Sequence, residues 1–201
     1  FPPPSPPRRS SDLISAFTTL AFSFIAVMYY RAHQKVSHTL QALATTDPLT
    51  QIANRNQLHL LMQTSMQTAL RYEIPLSLIH LDIDNFKRIN DQLGQATGDE
   101  ILIELSTLLK HHTRSSDLVA RWAGQEFILV LSKTNLHQAE ELANKLRAII
   151  AERTFVVTAH LTCSFGVAQL QKDDTEASLL KRVDSALSKA KEEGKNRVVL
   201  A

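Results

Sequence analysis

The stretch Arg121-Trp122-Ala123-Gly124-Gln125-Glu126-Phe127-Ile128-Leu129-Val130-Leu131 decides the fold. It reads as a tight hairpin. Leu118, Val119 and Ala120 lead in, Ala123-Gly124 makes the turn, and Phe127 to Leu131 form a continuous apolar strand. A glycine at the tip supplies the positive φ that such a turn can require, and lets a phosphate approach bare backbone. A strand that is apolar along both faces belongs inside a sheet covered by helices. Two polar acceptors, Gln125 and Glu126, then stand at the mouth of a buried sheet. Taken alone, the same residues also describe a surface hairpin with a polar tip.

Working outward, the periodicities alternate. A helix is expected from Asn54 to Tyr72, with Asn54 and Gln57 as a capping pair and Leu58, Leu61, Met62 and Ala69 facing inward. A strand follows at Leu76 to Asp82, then a short helix around Phe86 to Gln92. Thr97 and Glu100 form a capping box that opens a helix running to about His111. After the hairpin come a helix from Asn135 to Glu152, with Leu142, Leu146 and Ile149 on one face, and a strand at Leu161 to Ala168. A helix from Thr175 to Glu193 is stopped by Gly194, and a strand at Arg197 to Leu200 ends the order. The expected fold is an α/β (α+β) sandwich: a ferredoxin-like central antiparallel sheet with helices on both faces, plus an N-terminal helix.

The N-terminal region has a different character. Residues 1–12 are proline-rich and should be extended. The absence of an initial Met points to a fragment of a longer protein. Residues 13–30 are uncharged and close to the ~20 residues that a membrane-spanning helix needs, with Tyr29 and Tyr30 suited to an interfacial anchor. A signal-peptide core or a buried soluble helix are the other readings. Residues 31–46 read as a helical linker. Tyr29, Val36, Leu40 and Leu43 fit a short coiled-coil seam, and an ordinary amphipathic helix equally well. Asp47-Pro48 breaks this helix, since a residue before proline is pushed out of helical geometry. Residues 47–201 form one domain.

The formal net charge is +2 and the excess is local: the first forty residues carry +3 and the remainder −1. No basic stripe points to nucleic acid. Cys163 is the only cysteine, so no disulfide within the chain is possible; a buried strand position in a reducing compartment accounts for it. The eight histidines show no metal-ligand spacing, and His111-His112 reads as a solvated helix end.

Three further motifs accompany the hairpin. Upstream lies Ile79-His80-Leu81-Asp82-Ile83-Asp84-Asn85-Phe86-Lys87-Arg88-Ile89-Asn90-Asp91, followed by Gly94 and Thr97-Gly98-Asp99. Near the end comes Lys189-Ala190-Lys191-Glu192-Glu193-Gly194-Lys195-Asn196-Arg197. Together, from about Asp47 to Val199, these resemble the GGDEF domain of diguanylate cyclases, which join two GTP into cyclic di-GMP. Asp47-Pro48-Leu49-Thr50 resembles the hinge that opens that domain, with Gln51 in place of the family's glycine. The signature loop is degenerate: it reads Ala-Gly-Gln-Glu-Phe where the family has Gly-Gly-Asp/Glu-Glu-Phe.

The resemblance implies a site. Asp82 and the backbone carbonyl of Ile83 would be ligands of Mg²⁺, for which Mn²⁺ can substitute. Gly124, Gln125 and Glu126 would complete the catalytic loop. Gln125 stands where the family has its other metal carboxylate; it offers a carbonyl oxygen without charge, and Mg²⁺ strongly prefers carboxylates. Glu126 could supply that charge if the turn lets it point inward, although adjacent strand residues face opposite sides. Asn90 and Asp99 match the guanine contacts. Phe86 and Lys87 match positions whose backbone amides line the phosphates. Lys191 and Lys195 match the triphosphate contacts, Lys195 keeping the charge of the usual arginine but losing its fork. Arg114-Ser115-Ser116-Asp117 matches the inhibitory site for product, through Arg114 and Asp117; a local ion pair at a helix end is the plain alternative.

The function expected is a diguanylate cyclase of lowered efficiency, acting as a homodimer with one GTP per subunit. Its place would be the bacterial inner membrane, with the catalytic domain cytoplasmic and an upstream sensor region or receptor as input. An inactive module that binds GTP or cyclic di-GMP is the second expectation. A purely structural dimerisation unit fits less well with the intact guanine and phosphate positions.

Overall fold

The computed structural model describes residues 20, 24, 27–31, 45–156 and 160–201. The chain divides into two units, Phe1–Ala44 and Thr45–Ala201, each described by itself. In the first, Leu20, Phe24 and residues 27–31 are helical and exposed. The extended segment expected over 1–12 lies outside the described residues, as do most of the membrane helix expected over 13–30 and most of the linker expected over 31–46. Among the described residues no helix is long and apolar enough to cross a membrane. Thr45 and Thr46, where the linker helix was expected to end, are not helical, and Thr46 pairs with Ala53 in an antiparallel bridge.

The second unit runs α1 (Arg55–Tyr72), β1 (Leu76–Ile83), α2 (Phe86–Leu93), α3 (Gln95–His112), β2 (Leu118–Ala123), β3 (Glu126–Ser132), α4 (Leu136–Glu152), β4 (Cys163–Gln169), α5 (Glu176–Glu192) and β5 (Val198–Leu200). The sheet order is β2-β3-β1-β4-β5. β1 is antiparallel to both β3 and β4, β2–β3 is the expected antiparallel hairpin, and β5 is parallel to β4. The middle strand, β1, is buried at every residue.

Two cores follow from the pleat, since successive strand side chains face opposite ways. On one face Ile79, Leu81, Ile83, Phe127 and Leu129 pack with Ile101, Leu105 and Leu109 of α3 and Leu146 of α4. On the other, Leu76, Leu78, Ile128 and Val130 pack with Leu58 and Met62 of α1 and Leu179 and Val183 of α5. The apolar run of β3 is thus buried by helices on both sides, as its lack of alternation required.

Local signals set most boundaries. Asn54 caps α1 by accepting from the Gln57 N–H at 3.0 Å. Asn135 with Gln138 and Thr175 with Ser178 form reciprocal capping boxes on α4 and α5. Leu61 was expected inward but is 40 % exposed; Met66 takes the inward position on the next turn. The capping box expected at Thr97 is absent. Gly94, at φ +87, both ends α2 and opens α3, so α3 begins at Gln95 and Thr97 lies within it, its hydroxyl donating back to the Leu93 carbonyl at 2.9 Å. Cys163 is buried and unpaired; burial first, then the Asp84 and Asp82 charges, push its thiol well up.

Candidate active site

β1 carries Asp82 to the open end of the sheet, and the register places Glu126, the first residue of β3, directly opposite it. Directly opposed residues share a face, so both carboxylates lie on the α5 side. The Glu126 side chain is thereby brought to the Asp82 face without rearrangement of the turn. Gln125 reaches the same place from the turn itself, where Gly124 has φ +47, and its Nε2 donates to Asp82 Oδ2 at 3.4 Å. Lys191, on the last turn of α5, puts its Nζ 3.0 Å from that same oxygen.

The two carboxylates differ electrostatically. Burial raises the Asp82 pKa, and the Lys191 ammonium only partly opposes it, with the Glu126 and Asp84 charges adding to the rise. Glu126 goes the other way: a hydrogen bond from His80 outweighs burial and lowers its pKa, helped by the charges of His80 and Lys191. His80 Nε2 lies 3.1 Å from Glu126 Oε2.

Beyond Asp82 the chain turns into α2 through a second buried aspartate. Asp84 accepts from the hydroxyls of Thr162 and Ser164, each at 2.7 Å, and from the Asn196 N–H at 3.1 Å. That last bond fixes the loop after α5, in which Lys195 and Asn196 both take positive φ. Lys195 Nζ donates to Asn85 Oδ1 at 2.5 Å. The structure therefore brings Lys191 and Lys195 to the segment 82–87. Phe86 is buried in the core and Lys87 is exposed, and their amides open α2, where N–H groups have no partner within the helix.

Asn90 lies on α2 and Asp99 on α3, on either side of the Gly94 junction. The Asn90 Oδ1 is buried without a hydrogen-bond partner. A Cβ on Gly98 would overlap it, so the glycine makes room for this amide. Asp99 is exposed and is the fifth residue of α3, not a first-turn residue, because that helix starts early.

Arg114 and Asp117 follow α3, away from these groups. Asp117 Oδ2 accepts from the Arg114 backbone N–H at 3.1 Å, and the Asp117 N–H donates to the Arg114 carbonyl at 3.0 Å. Their side chains do not form the alternative ion pair. Both instead line a cleft of about 400 Å³ with His112, Leu131, Gln138 and Lys145.

Three participants carried no assigned role in the sequence: His80, Asp84 and Arg121. A polar residue inside the apolar run of β1 marks His80, and the Asp-x-Asp spacing marks Asp84. Arg121 joins the hairpin to the hinge, its Nε donating to the Gly124 carbonyl at 2.8 Å and its Nη1 to Asp47 Oδ1 at 3.0 Å. Asp47 also accepts from the Thr50 N–H and hydroxyl; burial raises its pKa, and these bonds with Arg121 bring the net shift down. Gln51, at the hinge position, takes φ +56, a conformation natural to glycine.

Among the described residues no three His, Cys, Asp or Glu side chains gather into a metal cluster. Asp82 and Glu126 on one face are nevertheless the donor set Mg²⁺ commonly uses, one or two carboxylates with substrate phosphates and water completing the shell. Asp82 Oδ2 already draws two cationic or N–H donors, as an oxygen suited to a cation should.

Relatives bear on this geometry. The model of the family "Diguanylate cyclase, GGDEF domain" matches residues 44–197. The chain is 36% identical over 168 residues to diguanylate cyclase DgcM of Escherichia coli K12, covering 84% of this chain and 41% of that protein. It is 41% identical over 160 residues to a diguanylate cyclase of Vibrio cholerae, covering 79% and 50%. The chain thus spans half or less of these relatives' length. The coiled coil and GGDEF domain of DgcB from Caulobacter crescentus, solved in complex with c-di-GMP, superposes with a TM-score of 0.76 at 26% identity, covering 93% of this chain and 100% of that one. With that match over 44–197 and the fold it shares, the chain belongs to the GGDEF diguanylate cyclase family.

Proposed function

We propose that this chain condenses two GTP into cyclic di-GMP and pyrophosphate, at an efficiency lowered by Gln125. The observation that carries this reading is the meeting of Asp82, Glu126 and Lys191 at one end of the sheet, Lys191 Nζ standing 3.0 Å from Asp82. In it, Asn90 and Asp99 receive the guanine, an amide and a carboxylate suited to its carbonyl and N–H edge. Lys191 and Lys195 hold the triphosphate, Lys195 on a loop that Asp84 pins. The amides of Phe86 and Lys87 face phosphate oxygens, as free helix-start N–H groups favour. Asp82, the Ile83 carbonyl and Glu126 would hold Mg²⁺ or Mn²⁺, which when bound supplies charge neutralisation at the α-phosphate and acidifies the attacking 3′-hydroxyl.

Each subunit presents one GTP, so the reaction needs a two-fold homodimer that sets the nucleotides face to face. Gln125 brings an amide where the family has a carboxylate, which lowers cation affinity and hence turnover. Cyclic di-GMP binds at Arg114 and Asp117 as an inhibitor. The uncharged stretch 13–30 anchors the protein in the bacterial inner membrane, with the catalytic domain in the cytoplasm and an upstream region as input. The test is to incubate dimeric protein with GTP and Mg²⁺ or Mn²⁺ and separate the nucleotides by chromatography. Cyclic di-GMP is the expected product; a dimer that binds GTP and leaves it intact refutes the enzymatic reading.

A further inference from the structure

His80 sits in the middle of β1 between Ile79 and Leu81, 2 % exposed, in a strand buried at every residue. Burying an imidazole there carries a desolvation cost that an aliphatic side chain would avoid. Its polar contacts show what it is used for. Nε2 lies 3.1 Å from Glu126 Oε2, whereas Nδ1 has no hydrogen-bond partner, the exposed Asp184 carboxylate being 3.7 Å away. An ionised carboxylate only accepts, so the imidazole donates from Nε2 to Glu126. Thus the one ring nitrogen of His80 that has a hydrogen-bond partner is directed at Glu126.

Glu126 needs such a partner. It is the first residue of β3, directly after the turn, and its side chain is 32 % exposed. A long side chain at a strand end samples several rotamers unless something holds it. His80 is opposite Ile128 in the register, which makes it the diagonal same-face neighbour of Glu126, within reach of a long side chain. Lys191 meets Asp82 and His80 meets Glu126, so each carboxylate has its own donor.

We propose that His80 is a positioning residue that holds Glu126 on the Asp82 side of the sheet, where Glu126 provides the second carboxylate that Gln125 lacks. This rests on the cyclase reading above. His80 does not touch substrate; it acts through Glu126, as outer-shell partners of metal-binding carboxylates do.

Three proteins decide it: wild type, His80→Leu and His80→Gln, each as the full dimeric chain. Mn²⁺ affinity is measured by titration in the presence of a non-hydrolysable GTP analogue, and kcat and KM for GTP from cyclic di-GMP formation. His80→Leu should weaken Mn²⁺ binding about tenfold and lower kcat by about the same factor, with KM for GTP within about twofold, because the guanine and triphosphate contacts are untouched. His80→Gln can still donate an N–H to Glu126 and should recover most of both losses. A merely structural histidine predicts the reverse pattern, a lowered melting temperature with unchanged Mn²⁺ affinity. The inference is overturned if His80→Leu matches wild type in Mn²⁺ affinity, or if the Gln variant loses as much as the Leu variant. Should His80→Leu fail to fold, a tenfold loss in folded His80→Gln overturns the inference just as well, and near-wild-type behaviour supports it. A wild type that takes up no Mn²⁺ with the analogue refutes the cyclase reading itself; one that binds and turns over while His80→Leu is unchanged refutes only the role of His80.

Discussion

Replacing Gln125 by Glu separates what a carboxylate costs from what it supplies. The amide nitrogen lies 3.4 Å from Asp82 Oδ2 and donates to it. A carboxylate in its place turns that weak bond into repulsion between like charges. Two unit charges ~4 Å apart interact by about 4 kcal/mol at an effective dielectric near 20. Lys191, 3.0 Å from the same oxygen, and solvent at the partly open turn offset much of this, leaving about 1–2 kcal/mol of destabilisation without a cation. For a chain of this size that corresponds to a melting temperature lower by roughly 2–8 °C. With Mn²⁺ and a GTP analogue the sign reverses, because the added charge becomes a ligand, and the variant should gain more thermal stability than wild type. Turnover should rise by about tenfold or more, within the range that one electrostatic group at a reacting centre contributes. The assays are thermal melting with and without Mn²⁺, and chromatography of the nucleotides. If the Mn²⁺-induced shift is equal in the two proteins and turnover is unchanged, Glu126 already supplies the whole requirement and Gln125 is no defect.

The remaining predictions concern groups around it. Asp82→Asn should abolish turnover yet stabilise the fold by about 1 kcal/mol, as removal of a strained functional group often does. The sign follows from linkage: a carboxyl whose folded pKa is raised costs stability once ionised, so the wild-type deficit against Asp82→Asn should shrink as pH falls through the folded pKa. Gly98→Ala should leave the melting temperature within a few degrees but displace the Asn90 amide, weakening GTP binding by about tenfold in calorimetry; unchanged affinity would remove Asn90 from the guanine site. Arg114→Ala should abolish the calorimetric heat of cyclic di-GMP binding and leave GTP binding intact, since the Arg114 cleft is lined by none of the residues assigned to GTP.

Much of this was legible in the chain. The two-faced apolarity of Phe127 to Leu131 gave a covered sheet, and Asn54, Asn135 and Thr175 marked helix starts because cap chemistry is local. The errors have local causes too. A Thr-x-x-Glu pattern at Thr97 was overridden by Gly94, whose positive φ begins α3 at Gln95. What stayed hidden is what depends on register. Nothing in the spacing of residues 82 and 126 shows that they are cross-strand partners, and alternation within β3 alone left the direction of Glu126 open. His80 was equally opaque, because its partner lies 46 positions away.

The two aspartates at the end of β1, Asp82 within it and Asp84 just beyond, show how far register, not residue type, decides a role. Asp82 and Asp84 are both almost fully buried, 3 % and 5 % exposed. Asp84 is enclosed by two hydroxyls and a backbone amide, a donor set that satisfies a carboxylate with no cation present. Its work is mechanical: it ties β1 to β4 and to the loop bearing Lys195. Asp82 has only the Lys191 ammonium and the long Gln125 contact, both on one oxygen. A buried carboxylate provided with so few donors is costly to keep ionised, and the raised pKa records that cost. Moving the hydroxyls of Thr162 and Ser164 to face Asp82 would relieve it and remove the site, because a carboxylate already saturated with donors has little affinity left for a cation. The incomplete satisfaction of Asp82 next to the complete satisfaction of Asp84 is therefore what makes one of them a candidate ligand and the other a brace.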